Sequence, residues 1–300
     1  MRWRQLCTVA GGLKRAMVAA PLVVIMVGAS AVGAQAASPT WTIAKSANVT
    51  LPGGNIESVS CSAATACTAV GTDLDTSGLS VTLAERWNGT DWQRQATPNP
   101  AGDTTSSVAP TLLGVSCPSA SFCVAVGTYQ PGFVQAGMVE TWNGQQWTWQ
   151  SFPAPVSDDS NAWQLTGVSC TSSRFCEAVG GYSDPGTGLN DTFAATWNGT
   201  SWSLQSTVNP DPNDFDSEQF NTVSCSSPKF CVAWAGYGAN SAEALAEQWN
   251  GSSWQLQTVP SSNAAVNSVS CTSASFCEAV GLGSAYGWDG SAWTAQTIPA

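Results

Sequence analysis

Apolar positions recur along this chain at fixed offsets from pairs of cysteines. An apolar residue stands five before the first Cys of each pair, at Ile56, Leu112, Leu165, Phe220 and Val266. The run Val-Ser-Cys begins at Val59, Val115, Val168, Val223 and Val269. A second Cys follows six positions after the first, and an Ala stands two beyond it, at Ala69, Ala125, Ala178, Ala233 and Ala279. Alternating apolar residues bounded by small polar ones predict short β-strands joined by a tight hairpin. A second block follows in each unit: Trp87-Asn88-Gly89, Trp142-Asn143-Gly144, Trp197-Asn198-Gly199, Trp249-Asn250-Gly251 and the variant Trp288-Asp289-Gly290. A further Trp lies five after each leading one, at Trp92, Trp147, Trp202, Trp254 and Trp293. Successive first cysteines are 56, 53, 55 and 46 residues apart, so the chain is five copies of one supersecondary unit.

Each copy reads as four strands. The first ends in Val-Ser-Cys, the second is the Cys-x-Ala-Val-Gly segment, the third runs into the leading Trp, and the fourth carries the second Trp. Asn-Gly between the last two predicts a two-residue type I′ hairpin, pairing Trp87 with Thr90 and Glu85 with Trp92. The two tryptophans are then diagonal neighbours. Pro-rich connectors such as Pro98-Asn99-Pro100 close the copies. A four-stranded sheet of this size cannot bury both faces alone, whereas radial repetition lets each sheet cover the next. The predicted fold is therefore all-β, a five-bladed β-propeller of four-stranded antiparallel blades. Its repeats are 52–105, 106–160, 161–213, 214–262 and 263–300, within one domain over 37–300. Thr40-Trp41-Thr42-Ile43, in the stretch 40–46, has the pattern of a surplus fourth strand, expected to add to a blade's outer edge and help close the ring.

The N-terminus has a different character. Arg2, Arg4, Lys14 and Arg15 surround or precede an apolar run over 16–32, and Ala34-Gln35-Ala36 has the form of a cleavage site. Residues 1–36 read as a secretory signal peptide, with a retained membrane anchor as the alternative. The remainder carries five basic and twenty acidic residues, a net charge of −15. That balance opposes nucleic acid and anionic lipid, so neither a nucleic-acid partner nor membrane insertion is expected after cleavage. Ten cysteines remain, an even number in an exported chain, which predicts the disulfides Cys61–Cys67, Cys117–Cys123, Cys170–Cys176, Cys225–Cys231 and Cys271–Cys277. Zinc requires four ligands together, and each copy offers two.

The order Val-x-Cys, then Cys-x-Ala-Val-Gly, then Trp-Asn-Gly-x-x-Trp resembles the blade of Asp-box (BNR-type) propellers, which include sialidases, sortilin-like proteins and photosystem II assembly-factor-like proteins. It also resembles a cysteine-bearing repeat of secreted actinobacterial proteins. The resemblance covers residues 40 to 300, with Asn88, Asn143, Asn198 and Asn250 near the place of the box Asp in a turn one residue shorter. It implies a secreted bacterial protein, free or associated with the cell surface. It is specific for fold and weak for function, because propellers host many activities.

The chemistry narrows the function classes. The chain has no His, which removes Ser-His-Asp and Cys-His catalysis and His-ligated metals. Sialidases clamp a carboxylate with three arginines and use a Tyr nucleophile. Here only Arg86, Arg94 and Arg174 follow the signal segment, and Arg86 and Arg174 adjoin the uniform loops. The expectation is a non-enzymatic, monomeric module that binds an extracellular glycan or protein. The alternative is a secreted glycoside hydrolase using a carboxylate pair on the loop face.

The loops between first and second strands, and between third and fourth, are uniform and share one rim. The others vary in length and share the opposite rim, where binding residues usually lie. That rim gathers Tyr129, Phe133, Trp163, Tyr182 and Tyr237, either as an aromatic platform for sugar rings or as cover for the blade tops. It also carries the run Asp211, Asn213, Asp214, Asp216 and Glu218. This run reads first as a solvated acidic loop, and second as an oxygen-rich calcium site lacking the spacing of a helix–loop–helix site. No other cofactor is expected. Peptide mapping without reduction is expected to find every disulfide inside one repeat, and cross-repeat bridges would contradict the blade assignment.

Overall fold

The computed structural model describes residues 54–99, 109–156, 161–208, 218–237, 243–260 and 266–298. The stretch expected to be a signal peptide, the stretch Thr40–Ile43 expected to be a surplus strand, and most of the acidic run lie outside these residues. The described chain forms five four-stranded antiparallel sheets, each with its strands in sequence order. The sheets span 55–95, 111–149, 163–205, 219–257 and 266–295, and are called blades 1 to 5. The first strands of consecutive blades pack on one another, so they are the inner strands of a β-propeller.

Within a blade, the paired residues explain the repeat. Val59 opposes Ala69, Val115 opposes Ala125, and the three later copies repeat this pairing. The small Ala gives the branched Val room at the crowded centre. A register shift interrupts every inner pair at the same two places, so the bulges belong to the repeat. All five expected disulfides are present, linking the two inner strands beside their hairpin with Cα–Cα separations of 3.9 to 4.1 Å.

The Asn-Gly turn differs from the predicted one. Trp87 pairs directly with Trp92, and every copy does the same, so the loop holds four residues rather than two. The Asn88 side-chain oxygen accepts from the amides of Thr90 and Asp91, both at 2.9 Å. The following Gly takes a positive φ, 96° to 100° across the copies. A side chain that caps its own loop has displaced the tight turn, as Asn and Asp often do. The tryptophans become face-sharing partners, with ring centroids 5.6 to 5.9 Å apart. The leading indole N–H also donates to a carbonyl of its own blade's Cys hairpin, Trp142 to Ala120 and Trp197 to Ser173 among them. The uniform rim is thus a layer of self-satisfied turns.

The core lies between blades rather than within them. One apolar cluster joins Val124, Val126 and Val139 of blade 2 to Leu165 and Val168 of blade 3. A polar bond repeats across each seam. Ser60, Ser116, Ser169 and Ser224 accept, each at 2.9 Å, from the amide of the first Cys in the next blade.

Of the glutamates buried among the blades, three have no exposed surface at all. Glu140 accepts a hydrogen bond from the Thr82 hydroxyl of blade 1, Glu177 from Thr196, and Glu247 from the amide of Val208. In each, the second carboxyl oxygen has no hydrogen-bond partner among the described residues. Burial pushes Glu140 and Glu177 up to about 8 and Glu247 up to about 7, from an ordinary 4.5. The folded protein therefore holds protons that the unfolded chain releases. Stability from these groups is full below about pH 4.5, falls as pH rises, and levels off above about 8. Glu140→Gln is expected to raise Tm at pH 8.5, by about 2–4 °C for each kcal/mol recovered, and to change it little at pH 4.5. Thermal melts across pH check this; an equal change at both values would contradict it.

Candidate functional site

On the variable rim, backbone bonds tie the loops of three consecutive blades together. The Trp163 amide donates to the Gln135 carbonyl, bringing the start of blade 3 against the central loop of blade 2. The Ser183 amide donates to the Ala162 carbonyl, and the Glu218 amide at blade 4 donates to the Asn190 carbonyl. These bonds hold the rim at fixed height, so side chains projecting there have a rigid base.

Trp163 is the hub. Its ring stacks on Phe152 at 5.7 Å between centroids and meets Phe193 edge-on at 6.1 Å. Its benzo ring rests on the backbone of Gly137, where an added Cβ would come within 2.2 Å. Gly137 is thus a close-approach glycine that lets a blade 3 indole lie on blade 2. Beside the indole a chain of amides runs across the seams. Gln135 Nε2 donates to Gln164 Oε1 at 2.8 Å, and Gln164 Nε2 donates in turn to Gln219 Oε1 at 2.5 Å.

Three depressions that share lining residues lie here, two of them lined by this glutamine chain. One, of about 490 Å³, is lined by Phe133, Gln135, Val156, Asn161 and Trp163 among others. A smaller one, about 140 Å³, holds Trp163, Gln164, Tyr182, Asn190 and Gln219. The third, about 370 Å³, shares Tyr182 and includes Pro155, Thr192 and Thr207. Among the described residues no lysine or arginine lines any of them.

The expected site residues are placed unequally. Phe133 is fully exposed at the pocket mouth. Trp163 is half-buried, with one face against Phe152. Tyr182 is also half-buried; its hydroxyl donates to Asp191 at 3.3 Å. Burial first, then the nearby Asp191 and Asp184 charges, pushes Tyr182 up to about 12. Tyr129 packs edge-on against Trp149 at 5.2 Å, away from the three depressions. Tyr237 ends the second strand of blade 4, paired with Glu243. Of the acidic run, Asp211, Asn213, Asp214 and Asp216 lie outside the described residues. Glu218 is buried beside Glu247 and helps raise that group. Among the described residues no three metal-ligating side chains gather.

The glutamine chain is the feature that sequence reasoning passed over. Gln164 and Gln219 occupy one repeat position, six before the first Cys. That polar residue entering an inner strand was the available signal.

No family model matches the sequence, and no curated protein matches it. Solved structures match in outline. A fucose-recognising lectin of Aleuria aurantia, described as a six-bladed β-propeller, shares 11% identity over 82% of this chain and 79% of its own, with a TM-score of 0.48. YCF48 from Cyanidioschyzon merolae shares 13% over 81% and 70%, with a TM-score of 0.47. A GH74 xyloglucanase from Xanthomonas campestris shares 11% over 77% and 44%, with a TM-score of 0.42. This chain spans less than half of that enzyme.

Gly137→Ala is expected to displace the Trp163 indole and cost about 1–3 kcal/mol through overpacking. Chemical denaturation with tryptophan fluorescence checks this. An unchanged midpoint would mean that the indole does not rest on that backbone.

Proposed function

We propose that the protein is a non-catalytic binding module whose variable rim, at blades 2 to 4, takes an uncharged glycan. The observation that carries this is the glutamine chain beside Trp163, with Tyr182 and Phe133 close by. Sugars present hydroxyls that pair with side-chain amides and C–H faces that pack on aromatic rings. With no cation lining the pockets among the described residues and a net charge of −15 over residues 37–300, anionic glycans are disfavoured. In this reading the five disulfides suit an oxidising, extracellular setting. Among the described residues no helix is long and apolar enough to cross a membrane.

The hydrolase reading has one observation in its favour. Asp191 lies close beside Asp184 near the pockets, and burial followed by the Asp184 charge raises its pKa. The pair is in hydrogen-bonding reach, whereas carboxylates that flank a glycosidic bond stand about 5 Å or more apart. The buried Glu140, Glu177 and Glu247 have no solvent access.

A glycan array read beside a chromogenic-glycoside screen separates the two readings. Binding to a neutral glycan without turnover is expected. Gln164→Ala should weaken that binding about tenfold or more, the loss expected from a bonded amide in a desolvated site. Turnover abolished by Asp191→Asn would replace the binding reading with the hydrolase one.

A further inference from the structure

Two of the depressions share a wall and differ in chemistry. Gln135 and Trp163 line both the depression of about 490 Å³ and the one of about 140 Å³. The smaller is polar, holding all three amides of the glutamine chain together with Tyr182, Ser183 and Asn190. The larger has Gln135 and Asn161 as its side-chain amides. Its other described side chains are apolar, Pro131, Phe133, Val134 and Val156 among them, beside the Trp163 indole. Its volume falls in the range of pockets that take small organic ligands, about 300–1,000 Å³, and such pockets are mostly apolar with a few placed polar groups.

The shared Gln135 amide is committed to the protein. Its Nε2 donates to the Thr128 hydroxyl at 2.7 Å and to Gln164 Oε1 at 2.8 Å. The Thr128 hydroxyl donates in turn to the Ala136 carbonyl, so it accepts from Gln135 and fixes the amide's orientation. Both Nε2 protons are spent, and the larger depression gains no donor from Gln135. Phe133 is 101% exposed, more than any other large apolar side chain among the described residues. Its loop is nonetheless anchored at both feet. Gln130 is buried and its carbonyl accepts from the Gly132 amide at 2.9 Å, while the Gln135 carbonyl accepts from the Trp163 amide. A solvated phenyl ring on an anchored loop at a pocket mouth has most of its burial energy still to gain when a ligand covers it.

We propose that the larger depression takes an aromatic aglycone, so that the ligand is a neutral aryl glycoside with its sugar on the glutamine chain and its ring against Phe133. This rests on the glycan reading above and adds the chemical class of the substituent. Because the same two side chains wall both depressions, one ligand with a polar half and an apolar half can occupy both. Phe133 and Trp163 select a ring over an alkyl chain, since aromatic pairs gain attraction beyond the area they bury.

The probes are methyl, hexyl and phenyl β-glucosides, with the same three forms of galactose and of mannose, titrated into the purified chain by calorimetry. For at least one sugar the phenyl form is expected to bind about tenfold or more tighter than the methyl form, and tighter than the hexyl form. Phe133→Ser is expected to bring the phenyl-to-methyl ratio close to one and, because the ring is exposed, to melt with the parent. Gln164→Ala is expected to weaken the phenyl and methyl forms by the same factor. The proposal is overturned if the phenyl and methyl forms bind equally, if the hexyl form gains as much, if Phe133→Ser keeps the ratio, or if none of these glycosides binds. Equal binding that Gln164→Ala weakens would overturn it while leaving the glycan reading in place. A phenyl preference that Phe133→Ser removes, in a chain whose binding Gln164→Ala does not change, would support the aromatic pocket and remove the glycan reading.

Discussion

In blades 2 to 5 the inner strand is covered by the blade before it, and the rest of the structure follows from that dependence. The inner residues are small or branched, Val opposite Ala, so a single sheet has too little apolar bulk to stand alone. Disulfides and paired tryptophans make each sheet a prefabricated plate. The seams then supply the burial, and one serine hydroxyl per seam sets the height at which the next plate is laid. Apolar clusters that span adjacent blades are the direct expression of this arrangement.

The same dependence divides the two rims. On one rim, asparagine oxygens cap their own loops and indole N–H groups bond to the adjacent hairpins, which leaves little free to recognise anything. On the other, connectors of unequal length bring single residues from successive blades into contact. The glutamine chain and Trp163 arise there because inner strands of different blades begin side by side. The buried glutamates belong to the seams instead. Their raised pKa values report a dry environment and a pH limit on stability, with no route for substrate.

Much of this was legible in the sequence, because the repeat samples the same physics five times. Cysteine spacing, the Val-Ala alternation and the doubled tryptophans sufficed for the blades, their strand order and every disulfide. The hairpin was misread because Asn-Gly favours a tight turn in isolation, while Asn88 and its equivalents bond to the following amides and open the loop to four residues. The site was only half legible. An aromatic at the right repeat position says which rim it occupies, yet Tyr129 turns onto Trp149 and Tyr182 onto Asp191. Contacts between blades, such as Gly137 under Trp163, depend on how two distant segments meet, and no local pattern encodes them.

Hydrogen exchange followed by mass spectrometry tests the dependence of blade on blade most directly, because it reads each inner strand separately. The inner strands of blades 2, 3 and 4 are expected to be the slowest to exchange. The inner strand of blade 1, over 55–63, and the second strand of blade 5, over 276–281, are expected to exchange markedly faster, since among the described residues neither has the neighbour that covers its equivalents. Equal protection in all five blades would contradict the account, since it would mean that a blade holds its inner strands without the neighbour.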